Sequence, residues 1–97
     1  MKRLSISILG DGGWGTTLAI LLSKKGFKVS LWGAFPDYAS YLNKKRVNIK
    51  FLPNIRIPQE IEIISDLNEA ILDKELIIFA IPSEYLRSTL KKIKLLD

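Results

Sequence analysis

Gly10, Gly12, Gly13 and Gly15 crowd six positions, Gly10-Asp11-Gly12-Gly13-Trp14-Gly15, directly ahead of the helix-forming run TTLAILLSKK. Backbone kept this bare suits an anion, because the first amides of a helix point outward at the positive end of its dipole. The spacing satisfies G-x-G-x-x-G, which chance alone often produces, so the neighbouring elements decide what it means. A turn that merely joins a strand to a helix needs one or two glycines, and each further one costs chain entropy. In a dinucleotide site every glycine has a mechanical task. Gly10 permits the tight turn, Gly12 lets the backbone approach a pyrophosphate, and Gly15 lets the helix pack on the strand. The amides of Gly13 and Trp14 would face the anion, while the Trp14 ring packs on protein or covers the sheet edge. An adenosine-bearing ligand normally meets an acid about 20 positions further on, or an arginine for a 2′-phosphate. Here that place reads Trp32-Gly33-Ala34-Phe35, with neither, although Asp37 lies nearby. The motif implies a dinucleotide and leaves its kind open.

The elements around the loop supply the missing context. Leu4 to Leu9 (LSISIL) alternates apolar and small polar residues and predicts a strand. Leu18, Ala19 and Leu22 share one face of a helix running from Trp14 to about Lys25, with Gly26 placed for a left-handed stop. Phe27 to Trp32 (FKVSLW) alternates again and completes a βαβ unit. A short helix is expected over Pro36 to Arg46, and the two prolines in Val47 to Pro58 predict an ordered loop rather than an interior strand. Ile61 to Ile64 reads as a third strand, and Asp66 with Glu69 as the capping box of a third helix. Leu76 to Ile81 (LIIFAI), apolar throughout, predicts a strand covered on both faces by helices, and Ser83 to Leu96 a closing amphipathic helix.

The fold class expected is therefore α/β: a Rossmann-type doubly wound parallel sheet, incomplete, in the order β-α-β-α-β-α-β-α. Residues 1–97 form the N-terminal part of one dinucleotide-binding domain, stopping after a helix where another strand is expected. Its apolar fourth strand is left with an edge that invites pairing with a second copy, so dimers or aggregates are expected.

Composition excludes several other chemistries. The chain has no cysteine and no histidine, which removes disulfides, thiolate or zinc sites and any His-based triad. The start Met1-Lys2-Arg3-Leu4 is followed by an apolar run too short for a signal peptide, and nothing is long enough to span a membrane, so a cytoplasmic location is expected. The net charge of +5 gathers at Lys24, Lys25 and Lys28, at Lys44 to Arg46, and at Lys91, Lys92 and Lys94. Attraction for anions, nucleic acid included, is one reading. Solvated helix faces are the favoured one, since no aromatic residues interleave to stack on bases.

Beyond this generic pattern, the chain resembles the N-terminal cofactor domain of NAD(P)-dependent glycerol-3-phosphate dehydrogenase. The matching residues are the GDGGWGTTLA run from Gly10, the VSLWG end of the second strand, Asn48-Ile49-Lys50-Phe51-Leu52-Pro53, Asp66 with Leu67 and Ala70, and Phe79-Ala80-Ile81-Pro82-Ser83. The N-x-K-x-L-P stretch is the most specific, and it argues against another Rossmann hydride-transfer family.

The resemblance implies an oxidoreductase that interconverts dihydroxyacetone phosphate and sn-glycerol 3-phosphate by hydride transfer, in lipid biosynthesis as a source of glycerophospholipid precursors. It implies that Gly10, Gly12, Gly13, Trp14 and Gly15 bind cofactor phosphates and that Ala34 lies beside the adenosine ribose. Pro82, with Tyr85 just beyond, would lie against the cofactor. Many bacterial members carry Arg or His where this chain has Ala34, so NAD(H) is expected in preference to NADP(H). The family's catalytic lysines fall beyond Asp97 and its helical substrate domain is absent, so the 97-residue piece alone is expected to be inactive. A homodimer is expected; no nucleic-acid, membrane or metal partner is. The alternative from a different class is a stand-alone, non-catalytic dinucleotide-binding module.

Overall fold

The computed structural model describes residues 3–94; the last two positions of the helix expected to reach Leu96 lie outside them. Strand β1 (Ser5–Leu9), helix α1 (Gly13–Lys24) and strand β2 (Lys28–Trp32) form the opening βαβ unit. They are followed by α2 (Pro36–Lys45), β3 (Val47–Asn48), β4 (Leu52–Arg56), β5 (Glu62–Ile64), α3 (Leu67–Ile71), β6 (Leu76–Phe79) and α4 (Ser83–Lys94). The main sheet has the order β5-β2-β1-β6, parallel throughout. Numbered within this sheet alone, its strands run 3-2-1-4, the first half of a doubly wound domain, and the direction of winding reverses between β1 and β6.

The alternation in β1 and β2 sorts two cores. Ile6, Ile8, Val29, Leu31 and Ile63 pack with Ala19 and Ile20 of α1 and Ala39 and Leu42 of α2. On the opposite face Leu9, Trp32 and Ile64 pack with Ala70 of α3, and Ile77 and Ile93 join them. Burying both faces of a sheet is what selects a parallel arrangement with helical crossovers. Ser7 and Ser30 are drawn into this burial as well.

Local signals set the ends of the helices. Gly26 adopts φ 98°, and its amide closes α1 onto the Ser23 carbonyl at 3.0 Å. Pro36 opens α2, where its lost amide has no helical partner to miss. The Asp66 carboxylate accepts from the amides of Asn68 and Glu69 at 2.9 and 3.4 Å and starts α3. Helix α2 ends on Arg46 in the left-handed region at φ 58°, without a glycine.

The guanidinium of Arg46 explains that ending. The residue is 7% exposed, and its guanidinium donates to the carbonyls of Asn43, Pro58 and Ile61 and to Asn43 Oδ1, at 2.7 to 3.3 Å. Four acceptors hold the side chain and so fix the backbone. Burial, and then Arg56 nearby, lowers its pKa. One member of the basic cluster at 44–46 is thus structural, while Lys44 and Lys45 are exposed as expected.

Two sequence expectations need correction. Residues 47–58 do not form a plain loop: β3 and β4 pair antiparallel as a separate two-stranded sheet, with an irregularity between Val47 and Asn48. Pro53 is tolerated because this ribbon has only edges and no central strand. Strand β6 is packed on both faces, through Ile78 on one core and Ile77 on the other, but only in part. It stops at Phe79 and forms the border of the sheet, with Leu76 and Phe79 each more than 40% exposed.

Candidate functional site

Strands β2, β1 and β6 lie side by side and end in register at Trp32, Leu9 and Phe79. The residues that follow, Gly33, Gly10 and Ala80, therefore share one edge. The amide of Gly10 bonds to the Trp32 carbonyl and that of Ala80 to the Leu9 carbonyl, each at 2.9 Å. This is the carboxyl edge at the switch point, where open α/β sheets bind ligands. Two hollows of about 350 and 390 Å³, on the outer side of α4 and at the amino edge around Lys74, contain none of these residues.

The four glycines of the loop differ in what holds them. Gly10 has φ 132°, and a Cβ there would stand 2.2 Å from the Ala80 carbonyl oxygen. At Gly15 a Cβ would meet the Gly10 carbonyl oxygen at 1.9 Å, so helix and turn touch through bare backbone. Gly13 lies under the Phe51 carbonyl, at 3.1 Å from a built Cβ. Gly12 is different. It caps α1 with φ −73°, open to any residue, and a Cβ there would meet nothing within 4 Å. Folding uses the bareness of Gly10 and Gly15 and makes no use of that of Gly12.

Helix α1 starts without a side-chain cap, and no described backbone or side-chain acceptor pairs with the amides of Gly12, Gly13 or Trp14. With these orphaned donors comes the positive end of a 12-residue helix with no acid in its first turn. The arrangement fits a phosphate group.

The loop is fixed from outside by Asn48. Fully buried, it donates through Nδ2 to the Asp11 carbonyl at 2.7 Å and to Thr16 Oγ1 at 2.8 Å, and its Oδ1 accepts from the Tyr38 hydroxyl. Thr16 in turn donates to the Asp11 carbonyl at 3.3 Å. Burial is the main cause raising the Tyr38 pKa. The Lys50 amide donates to the same phenol at 3.3 Å, and the Lys50 ammonium sits 4.6 Å from the centre of the Tyr38 ring. One asparagine from β3 thereby ties α2, α1 and the glycine loop together.

The remaining expected residues lie along the same edge or just beyond it. Ala34 is exposed immediately past β2, and Pro82 is exposed past β6, accepting from the Tyr85 amide at 2.9 Å. Tyr85 is exposed in the first turn of α4, and Trp14 points into solvent, 69% exposed, rather than covering the sheet. Asn48, Thr16, Tyr38 and Asp11 had no assigned role from spacing. Two signals were available: Asn48 opens the N-x-K-x-L-P stretch, and Asp11 is an acid inside a loop built for anions.

A parallel sheet wound 3-2-1-4, with a glycine loop leading from its first strand into an uncapped helix, defines a Rossmann-type nucleotide-binding domain. The family can then be stated. Residues 5–96 match the profile described as NAD-dependent glycerol-3-phosphate dehydrogenase N-terminus, and the chain belongs to that family. It is 46% identical over 86 residues to a glycerol-3-phosphate dehydrogenase [NAD(P)+] of Prosthecochloris aestuarii, covering 89% of this chain and 26% of the relative. A Fusobacterium nucleatum enzyme of the same name is 40% identical, over 94% of this chain and 27% of its own.

Among solved structures, glycerol-3-phosphate dehydrogenase from Coxiella burnetii superposes with a TM-score of 0.89 at 33% identity, covering 95% of this chain and 28% of the other. The Plasmodium falciparum enzyme superposes with 0.86 at 32% identity, covering 98% and 29%. The chain spans about a quarter of the length of the curated relatives it matches.

Proposed function

We propose that the chain binds a nicotinamide dinucleotide along the carboxyl edge of its sheet, NAD(H) in preference to NADP(H), as the cofactor-binding part of a glycerol-3-phosphate dehydrogenase. The observation that carries this reading is Gly12, whose Cβ would touch nothing in the chain although its backbone is ordinary. Such a space is explained by a ligand that comes against the backbone there. The uncapped amides of Gly13 and Trp14 would take the pyrophosphate, with Gly10 and Gly15 shaping the turn. Pro82 and Tyr85 follow β6 at the same edge, on the far side of the switch point from Ala34.

When bound, the dinucleotide supplies or accepts a hydride. In the complete enzyme this would interconvert dihydroxyacetone phosphate and sn-glycerol 3-phosphate. The residues of this chain bind and orient the cofactor and keep its phosphates on the helix dipole. Ala34 offers no cation to a 2′-phosphate, which favours the unphosphorylated cofactor. The protein is cytoplasmic and dimeric on this reading, with the border strand β6 available for pairing. Among the described residues no helix is long and apolar enough to cross a membrane.

Calorimetric titration of the chain with NADH tests the proposal when run beside Gly12→Ala. The wild type is expected to bind, and the variant to melt at an unchanged temperature while binding at least about tenfold more weakly, the loss of one good charge-assisted contact. Absence of binding by the wild type, or equal affinity in the variant, overturns it. The chain alone is expected to show no oxidation of NADH with dihydroxyacetone phosphate, because the residues attributed to catalysis lie outside it; turnover by the purified chain would refute that.

A further inference from the structure

At the end of β2, where an acid would meet the adenosine ribose, the chain has Gly33 and Ala34. The structure nevertheless puts a carboxylate there. The side chain of Asp11, coming from the glycine loop, lies against Gly33 so closely that a Cβ on Gly33 would stand 2.1 Å from Asp11 Oδ2 and 2.6 Å from its Cγ. Gly33 is buried and held to the next strand by its amide, which donates to the Ile64 carbonyl at 3.0 Å. The absence of a side chain at 33 is what makes room for the carboxylate of 11.

That carboxylate is poorly provided for by the protein. Oδ2 is buried and has no hydrogen-bond partner among the described residues, one of two such side-chain atoms. Within the chain, its own amide and the Lys50 ammonium partly offset the burial, and burial still dominates, raising the Asp11 pKa. An unpaired buried acid costs stability. Nothing in the fold requires it, since the Asp11 contact that holds the loop is made by its main-chain carbonyl to Asn48 and Thr16.

We propose that Asp11 is the specificity-determining acid of the cofactor site: its carboxylate takes the free ribose hydroxyls of the adenosine half and rejects a 2′-phosphate. It does from the first strand what an acid at the end of the second strand does elsewhere in this class of fold. A carboxylate accepts hydrogen bonds from a hydroxyl pair and donates none, so a phosphate in place of the 2′-hydroxyl meets a like charge and loses a donor. Ala34 only withholds a cation from that phosphate, whereas Asp11 actively repels it. Asp37, the acid nearest in sequence, is exposed in the first turn of α2 and is the natural comparison.

This inference rests on the reading that the chain binds a nicotinamide dinucleotide, and the two fail differently. Dissociation constants are measured by calorimetry for NADH, NADPH, ADP-ribose and 2′-phospho-ADP-ribose on the full chain and on Asp11→Asn, Asp11→Ser and Asp37→Asn. Melting temperatures are recorded alongside.

The wild type is expected to prefer NADH over NADPH and ADP-ribose over its 2′-phosphate by at least about tenfold, the scale of a charge-assisted contact. Asp11→Asn and Asp11→Ser are expected to shrink both ratios at least about fivefold by weakening the unphosphorylated ligands and strengthening the phosphorylated ones. Asp37→Asn is expected to leave them unchanged.

A purely structural role for Asp11 would weaken all four ligands in parallel with the ratios intact, and that result overturns the inference while the cofactor reading stands. So does collapse of the ratios in Asp37→Asn instead, or a wild-type preference for NADPH. No binding of any probe by the folded wild type overturns both. Should one Asp11 variant melt below the assay temperature, the other decides.

Discussion

The side-chain amide of Asn48 reaches the main-chain carbonyl of Asp11 at 2.7 Å across 37 positions of sequence, so a residue of the small hairpin holds the glycine loop in shape. Asn48 is fully buried, a setting where partial satisfaction is worse than none. Asn48→Ala leaves the Tyr38 hydroxyl, Thr16 Oγ1 and the Asp11 carbonyl short of a partner. The expected loss is about 2–4 kcal/mol of unfolding free energy, read from urea denaturation. Asn48→Asp should be at least as damaging at neutral pH, because it sets a carboxylate oxygen against the Asp11 carbonyl. A variant as stable as the wild type would show that the clamp is dispensable.

Gly15 and Gly12 should part company on substitution. Gly15→Ala forces a Cβ to within 1.9 Å of the Gly10 carbonyl oxygen, a backbone atom that cannot swing aside. Destabilisation of about 3 kcal/mol or more is expected, a large share of the total stability of so small a domain. Gly12→Ala should melt with the wild type. Circular dichroism melts of the pair decide it, and equal destabilisation would contradict the geometry.

Arg46 lies in a run of three basic residues yet is the one that the fold needs. Arg46→Ala removes hydrogen bonds to the Pro58 and Ile61 carbonyls and frees a residue held at φ 58°. The expected cost is about 2–3 kcal/mol, with Arg46→Lys intermediate because one ammonium cannot span the same acceptors. Lys44→Ala and Lys45→Ala, on exposed positions, serve as controls and should change little.

Asp11 should leave a signature in the pH dependence of stability. Burial raises its carboxyl above the usual 3.8, with its own amide and Lys50 opposing. The folded chain then holds this proton more tightly than the unfolded chain, so stability falls as pH climbs from 3.8 through the raised value, and the penalty is complete above it. Asp11→Asn is therefore expected to be more stable than the wild type at neutral pH, with the difference vanishing below pH 3.8. Urea midpoints of both proteins across that range report it. A variant less stable than the wild type at pH 7 would mean that the carboxylate has a partner after all.

Much of the domain was legible because local chemistry and global fold agree in it. The alternation of LSISIL, Gly26 after a helical face, Pro36 at a first turn and Asp66 ahead of Asn68 and Glu69 each name an element end that the structure contains. The hairpin was not legible. Its strands are two and five residues long and include Pro53, and their pairing depends on Asn48 and Arg46 being held by residues far away in sequence. Nor does LIIFAI reveal how far β6 is covered, since an apolar run reads alike at the centre and at the border of a sheet. In the site, the glycine spacing announced an anion, while the position of Asp11 against Gly33 arises from two strands meeting, which no spacing encodes.

The small sheet of β3 and β4 is too short to persist unaided, since isolated two-stranded ribbons are marginal in water. It shares its one buried asparagine with the turn that precedes α1. Opening of the hairpin and loosening of the turn are then a single local unfolding event, with one free energy. Whatever settles on the turn must slow amide exchange in the hairpin, and by reciprocity any partner that steadies the hairpin must tighten the grip of the turn on its ligand.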